Sequence, residues 1–327
     1  MHAGVIALLL AVLVAAKTAA ADWRDDLETL LSAPDGPEWE SMIEKLVAEG
    51  PDWKGVAEAL RAIDFDVSVT PGETVLTSTV CADSVERPWV FRVPAAYDPD
   101  DPAPLLLVLH GGASYPDLEE DPAGRAEESE LGDMAVENGW LAAFPFAQEG
   151  ATWWDGVGMA NIRAIIRAAK SRYNIDDDRV WMAGFSDGAS AGFLHAMVSP
   201  NDFAAFVALN GHMGVGSLDG DLPTYAPNME ASPIYATTTF DDGLYPSLKM
   251  RPSIEMARAA GADIFYQELP GEHDFDDVAG ELPGVSLFLN RHPRDPFPTR
   301  IFWETGRPEF GRCMWFAIDR VPPEPPA

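Results

Sequence analysis

Gly184-Phe185-Ser186-Asp187-Gly188-Ala189-Ser190-Ala191-Gly192, GFSDGASAG, follows directly on the apolar run Val180, Trp181, Met182, Ala183. A serine bracketed by glycines after an apolar strand fits G-x-S-x-G. In that pattern a strand turns so sharply into a helix that the serine is held, strained and exposed, at the edge of a sheet. The glycines are needed because side chains at their positions would clash with the neighbouring helix and strand. Glycine and serine are also ordinary residues of a strand-to-helix turn, so the pattern gains its weight from what surrounds it.

Outward from this stretch, strands and helices alternate. Upstream, Thr74 to Cys81 and Trp89 to Val93 read as strands, as does Phe65 to Val69. Pro104 to His110 is a continuous apolar strand of the kind buried on both faces of a parallel sheet. Trp140 to Phe146 is a strand, Met159 to Tyr173 a helix, Val180 to Phe185 a strand and Ala189 to Val198 a helix. Phe203 to Asn210 and Ile234 to Thr239 are strands, Pro252 to Ala260 a helix, Ile264 to Leu269 a strand and Pro283 to Asn290 a helix. Such alternation predicts an α/β fold with a mainly parallel sheet and helices on both faces.

A serine hydroxyl needs a base to take its proton, a group to orient that base, and donors for an oxyanion. Around a G-x-S-x-G turn these parts follow one chain order: donor loop, serine, acid, histidine. The apolar strand LLLVL ends in His110-Gly111-Gly112-Ala113. Its glycines let backbone approach a ligand, so the N–H groups of Gly112 and Asp187 are the candidate donors. An ordinary glycine turn is the plainer alternative. Of six histidines, His2 is N-terminal and His110 precedes the serine. His195 lies mid-helix among Phe193, Leu194 and Met197, and His292 stands beyond the last helix. His212 comes too early for the order, though it can border a pocket. His273, in LPGEHDFDD, sits on the loop after the strand IFYQEL, where the base belongs.

The acid belongs after the strand IYATTTF, where the chain reads Asp241-Asp242-Gly243-Leu244-Tyr245-Pro246. Asp242 is preferred because it stands four residues before Pro246, in a D-x-x-h-P pattern; Asp241 is the reserve. Asp274, Asp276 and Asp277 follow His273 closely and favour the start of the next helix. Asp242 lies 56 residues after Ser186, and His273 another 31 on. Trp153, Trp154 and Asp155, after the strand WLAAFPF, line a substrate pocket or form a structural plug.

Over roughly Ser68 to His292 the chain resembles the α/β-hydrolase superfamily, and within it secreted esterases of the polyhydroxybutyrate depolymerase, feruloyl esterase and phospholipase/carboxylesterase type. The likeness rests on LLLVLHGGA, on WWDGVGMANIRAIIRAAKSRYNIDDDRVWMAGFSDGAS, on the Asp242 turn and on GEHDF. It implies cleavage of carboxylic esters without a cofactor, on a small or polymeric substrate, and leaves acyl and alcohol groups open. Prolyl-oligopeptidase-like peptidases share the arrangement, and a binding protein on such a scaffold usually loses one of the three residues.

The ends of the chain depart from that pattern. GVIALLLAVLVAA, Gly4 to Ala16, followed by Ala19-Ala20-Ala21, resembles a secretory signal peptide over residues 1–21, although His2 and Lys17 are atypical. Export to the periplasm or medium is the expectation, with an uncleaved anchor as the alternative. Residues 22–63 predict three short amphipathic helices separated by Pro34, Pro37 and Pro51. The catalytic domain is expected over 64–293. Residues 294–327 predict a small aromatic β extension, with strands Arg300 to Glu304 and Cys313 to Ile318, then a proline-rich tail. The net charge is −31, from 22 basic and 53 acidic side chains. It opposes nucleic acid and anionic membranes as partners. Cys81 and Cys313 either pair or stay as buried thiols, and no residues show metal-ligand spacing.

Overall fold

The computed structural model describes residues 23–32, 37–49, 53–61, 69–318 and 320. The signal-like stretch 1–21, most of the strand expected over Phe65 to Val69, and the tail beyond 320 lie outside them. The chain divides into two compact units, residues 1–65 and 66–327.

The first unit contains three helices, α1 (Trp23–Ser32), α2 (Pro37–Glu49) and α3 (Trp53–Arg61). Pro37 opens α2, where a missing N–H costs nothing. Leu27 and Leu30, one turn apart on α1, are buried, and Lys45 bonds Asp26 at 2.9 Å. Val47 and Leu60, each one turn after an apolar residue (Ile43 and Val56), are exposed.

The second unit is built on eight strands: β1 (Thr74–Val80), β2 (Glu86–Arg92), β3 (Ala103–Leu109), β4 (Leu141–Pro145), β5 (Ile175–Phe185), β6 (Ala205–Leu209), β7 (Ile234–Thr239) and β8 (Ile264–Leu269). Their order across the sheet is β1-β2-β4-β3-β5-β6-β7-β8. The β1–β2 and β2–β4 pairs are antiparallel, and every other pair is parallel. β3, β4, β6 and β7 are buried at every position, as a sheet covered on both faces requires.

The helices are α4 (Pro122–Glu127), α5 (Glu130–Glu137), α6 (Gly156–Lys170), α7 (Asp187–Val198), α8 (Val215–Asp219), α9 (Ser247–Ala259), α10 (Asp276–Ala279) and α11 (Leu282–Arg291). Strand alternation divides the core in two. Leu105, Leu107, Met182 and Phe206 pack with Ile162, Ile165, Phe193 and Leu194 of α6 and α7. Leu106, Val108, Trp181 and Val207 face the other way, onto Leu131, Met134, Val285 and Leu289 of α5 and α11. From β3 the chain passes to β4 on one side and later to β5 on the other. Strand order therefore reverses there, and a crevice opens beyond the carboxyl ends of β3 and β5.

Several elements differ from the expectation. α4 and α5 fill a stretch without a long apolar period; they are short and set by caps, Asp121 accepting from Gly124 N–H and Ser129 from Gly132 N–H. β5 begins at Ile175, because the charged IDDDR segment continues alongside Ala103 past an irregularity in the pairing. α9 starts at Ser247 and carries Pro252 inside it. Arg300 to Glu304 is not a strand. Its backbone is instead satisfied in part by Asn228, which bonds Glu304 N and O at 2.8 Å each. The only pairing among the described C-terminal residues is a short hairpin, β9 (Arg312–Cys313) with β10 (Phe316–Ala317). Cys81 and Cys313 are both buried free thiols, and burial pushes the Cys313 thiol up to about 11.

Candidate active site

Ser186 stands between β5 and α7 with φ 57° and ψ −118°, a backbone region that costs a residue with a Cβ of order 1–3 kcal/mol. The surrounding glycines make the turn feasible. A Cβ on Gly184 would lie 2.4 Å from the carbonyl carbon of Gly188, and one on Gly188 would lie 2.0 Å from the Leu109 oxygen. Ser186 N–H donates to Leu209 O at 3.0 Å, so the turn is tied to the end of β6. The Ser190 hydroxyl donates to Ser186 O at 3.1 Å and accepts from His212 N–H at 2.9 Å.

The loops after β7 and β8 bring two further side chains to the serine. His273 Nε2 is 2.8 Å from Ser186 Oγ, and His273 Nδ1 is 2.7 Å from Asp242 Oδ2. Asp242 is buried, and its other oxygen accepts from the N–H groups of Leu244 and Tyr245, each at 2.7 Å. A carboxylate so held favours the Nδ1–H tautomer of His273 and leaves Nε2 free to accept the serine proton. Asp241 is exposed and is joined to the His273 loop only through its backbone, Asp241 N–H to Gly271 O at 2.9 Å.

The His273 loop is held by groups that carry no sequence motif. The Thr239 hydroxyl donates to Glu272 O at 2.6 Å, and Asn210 Nδ2 donates to Thr239 Oγ1 at 2.8 Å. The Thr237 hydroxyl donates to Asn210 Oδ1 at 3.2 Å. Asn210 is fully buried at φ 53°. The sequence offers only an asparagine directly after a strand, a residue type that tolerates the left-handed region. Of the aspartates after His273, Asp277 accepts from Glu272 N–H at 2.7 Å and Asp274 from Asp276 N–H at 3.1 Å.

The donor loop follows β3. A Cβ on Gly111 would lie 3.0 Å from Ser186 Cβ, and Gly112 has φ +69° with the Tyr115 ring over it. Ala113 N–H donates to Asp187 Oδ2 at 2.8 Å. Among the described residues, the N–H groups of Gly112 and Asp187 have no protein acceptor. The latter is the first N–H of α7, where the helix dipole favours negative charge. His110 supports the loop from behind: its Nδ1 bonds Gly111 O at 2.8 Å and its Nε2 accepts from Ala147 N–H at 3.0 Å. Burial pushes His110 down to about 4, so the ring stays neutral and can make both bonds.

Trp153 and Trp154 take the structural alternative. Both are buried in the core, and the Trp153 indole N–H donates to His110 O at 3.0 Å. Trp153 thereby braces the donor loop, and Trp154 is packed in the core with residues of α6 and α7. Asp155 caps α6 by accepting from Gly158 N–H at 2.8 Å. His212 is half-buried and reaches the site indirectly: its ring lies 5.6 Å from Tyr245, which lies 5.7 Å from His273. Burial lowers the pKa of His212. His195 is buried, and neither ring nitrogen has a hydrogen-bond partner among the described residues. His292 bonds Phe288 O at 2.7 Å.

Among the described residues no group of three or more His, Cys, Asp or Glu side chains is placed to hold a metal ion. No described helix is long and apolar enough to cross a membrane.

No family model matches the chain. Over 125 residues it is 31% identical to a bifunctional acetylxylan esterase/xylanase from Neocallimastix patriciarum. That match covers 37% of this chain and spans only 18% of the length of the relative. Among solved structures, a thermostable esterase superposes with a TM-score of 0.53 at 21% identity, covering 68% of this chain and 63% of its own. A ferulic acid esterase gives 0.54 at 15% identity over 68% of this chain and 98% of its own. An acylaminoacyl peptidase from Pyrococcus horikoshii gives 0.54 at 12% identity over 77% and 45%. At these identities the likeness is one of fold. The chain has the α/β-hydrolase fold, with Ser186 at its strand-to-helix turn.

Proposed function

We propose that the protein is a serine hydrolase of carboxylic esters, in which Ser186, His273 and Asp242 act as a catalytic triad. The observation that carries the reading is the unbroken line Ser186 Oγ–His273 Nε2 and His273 Nδ1–Asp242 Oδ2, at 2.8 and 2.7 Å, next to the N–H groups of Gly112 and Asp187, which have no acceptor among the described residues. Ser186 Oγ attacks the ester carbonyl carbon while His273 Nε2 takes its proton. The carbonyl oxygen becomes an oxyanion, which the N–H groups of Gly112 and Asp187 stabilise. Asp242 keeps the imidazole in its reactive tautomer and balances the imidazolium that forms. Collapse of the intermediate breaks the bond to the alcohol oxygen, and His273 returns the proton to that oxygen. His273 then deprotonates a water that attacks the acyl-enzyme; a second collapse frees the acid and restores the Ser186 hydroxyl. No step needs a metal or organic cofactor.

The acidic surface, with a net charge of −31, opposes anionic substrates and favours neutral acyl and alcohol groups. The relative named as an acetylxylan esterase makes an acyl group on a neutral polysaccharide the first substrate to test. Residues 1–21 support export as the setting. A panel of p-nitrophenyl esters of increasing acyl length, acetylated xylan, methyl ferulate and an acylaminoacyl amide tests the reading. Turnover of esters is expected, and turnover of the amide alone would replace the esterase reading with a peptidase.

A further inference from the structure

We propose that the carboxylate of Asp187 is a positioning group for the reaction, apart from the donor role of its own N–H. It holds the oxyanion loop onto the elbow through Ala113 N–H, so that the donors of Gly112 and Asp187 converge on one point. The inference rests on the reading of Ser186 as the nucleophile.

The two donors come from segments 75 residues apart in sequence, one after β3 and one at the start of α7. Gly111 and Gly112 give the loop its tight approach to Ser186, but two successive glycines also leave it free to swing. Behind, the loop is braced by His110 and by the Trp153 indole. In front, among the described residues, the bond between Ala113 N–H and Asp187 Oδ2 at 2.8 Å is the hydrogen bond that joins loop to helix. Ala113 is fully buried, so without that acceptor its N–H would be orphaned, at a cost comparable to a lost hydrogen bond.

The choice of side chain is informative. Any residue after Ser186 supplies a backbone N–H, and a negative charge beside a developing oxyanion opposes it electrostatically. The dipole of α7 accommodates the charge, and what sets the side chain apart is the Ala113 N–H that its oxygen accepts. Asparagine keeps an acceptor oxygen at the same reach and removes the charge, whereas alanine removes the acceptor.

Three variants of the full chain test this on a p-nitrophenyl ester, with kcat and KM measured separately and Tm recorded. In Asp187→Ala, kcat is expected to fall about 100-fold, the scale of one misplaced oxyanion donor, with KM changed by less than about threefold because the donors act mainly in the transition state. Asp187→Asn is expected to bring kcat back to within about threefold of the native value by the same reasoning. Ser186→Ala is expected to be inactive. A native kcat in Asp187→Ala overturns the proposal, as does equal impairment of the alanine and asparagine variants, or a fall in kcat that merely follows a fall in Tm. Inactive Ser186→Ala beside a fully active Asp187→Ala rejects the strut alone. Turnover retained by Ser186→Ala rejects the nucleophile and the strut together.

Discussion

Gly188 and Gly192 lie one turn apart in α7, and their replacement by alanine is expected to have opposite effects. A Cβ on Gly188 lands 2.0 Å from the Leu109 carbonyl oxygen, whereas real Cβ contacts essentially never fall below 3.0 Å. The start of α7 and the end of β3 must therefore separate by about 1 Å, and both are main chain, so no rotamer change relieves the contact. Overpacking of this kind costs about 1–3 kcal/mol, a fall in Tm of about 2–12 °C for a domain of this size. The same displacement carries Ser186 and Asp187 N–H away from the donor loop, and a 1 Å error in reacting geometry costs about 100-fold in rate. At Gly192 the added Cβ meets only Val207 O, at an ordinary 3.5 Å. There the helix gains about 0.5–1 kcal/mol from alanine, a rise of about 1–4 °C. Thermal unfolding and ester turnover of Gly188→Ala and Gly192→Ala decide the matter. A Gly188→Ala protein with native Tm and native kcat would refute the packing account of the elbow.

Asp242→Asn is expected to lower kcat by about 10³–10⁴ with a small change in KM, since the carboxylate orients and balances His273; Asp241→Asn, at an exposed carboxyl, should leave both near native. Acid should destabilise the fold through His110 and His195, which burial holds at about 4 each. Below the ordinary histidine value of about 6.5 the unfolded chain takes up protons that the folded chain refuses. Stability present above that pH is thus lost as pH falls toward 4, by up to about 3 kcal/mol for each ring. His195→Leu removes one of these rings, so its Tm should fall less than the native Tm between pH 7 and pH 4.5 in calorimetric scans.

What the sequence reveals of this molecule follows from where chemistry meets periodicity. Pro104 to His110 and Val180 to Phe185 are apolar runs, Ile234 to Thr239 and Ile264 to Leu269 are β-branched and aromatic runs that also carry threonine, glutamine and glutamate, and all four are bounded by turn residues. They mark the strands of the parallel sheet, and the residues just after them, Gly112, Ser186, Asp242 and His273, meet at one sheet edge. Residues that act by shape are harder to read. Trp153 and Trp154 look equally suited to a pocket or a core, because composition does not say which way a ring faces. Asn210 and Thr239 have no motif, since their work is to satisfy the backbone of a loop distant in sequence. α4 is too short for a helical period to emerge, and α5 shows one only over Leu131, Met134 and Ala135. Arg300 to Glu304 has strand-like residues, but a strand needs a neighbouring backbone, and Asn228 takes that place for Glu304.

The most direct test of the central claim is to identify the covalent intermediate. Native protein and Ser186→Ala would each be treated with a fluorophosphonate and with a slowly deacylating ester, then digested and analysed by mass spectrometry. The account predicts a single adduct on the peptide that carries Ser186, formed in parallel with loss of ester turnover and absent from the variant. An adduct on another residue, or native ester turnover by Ser186→Ala, would contradict it.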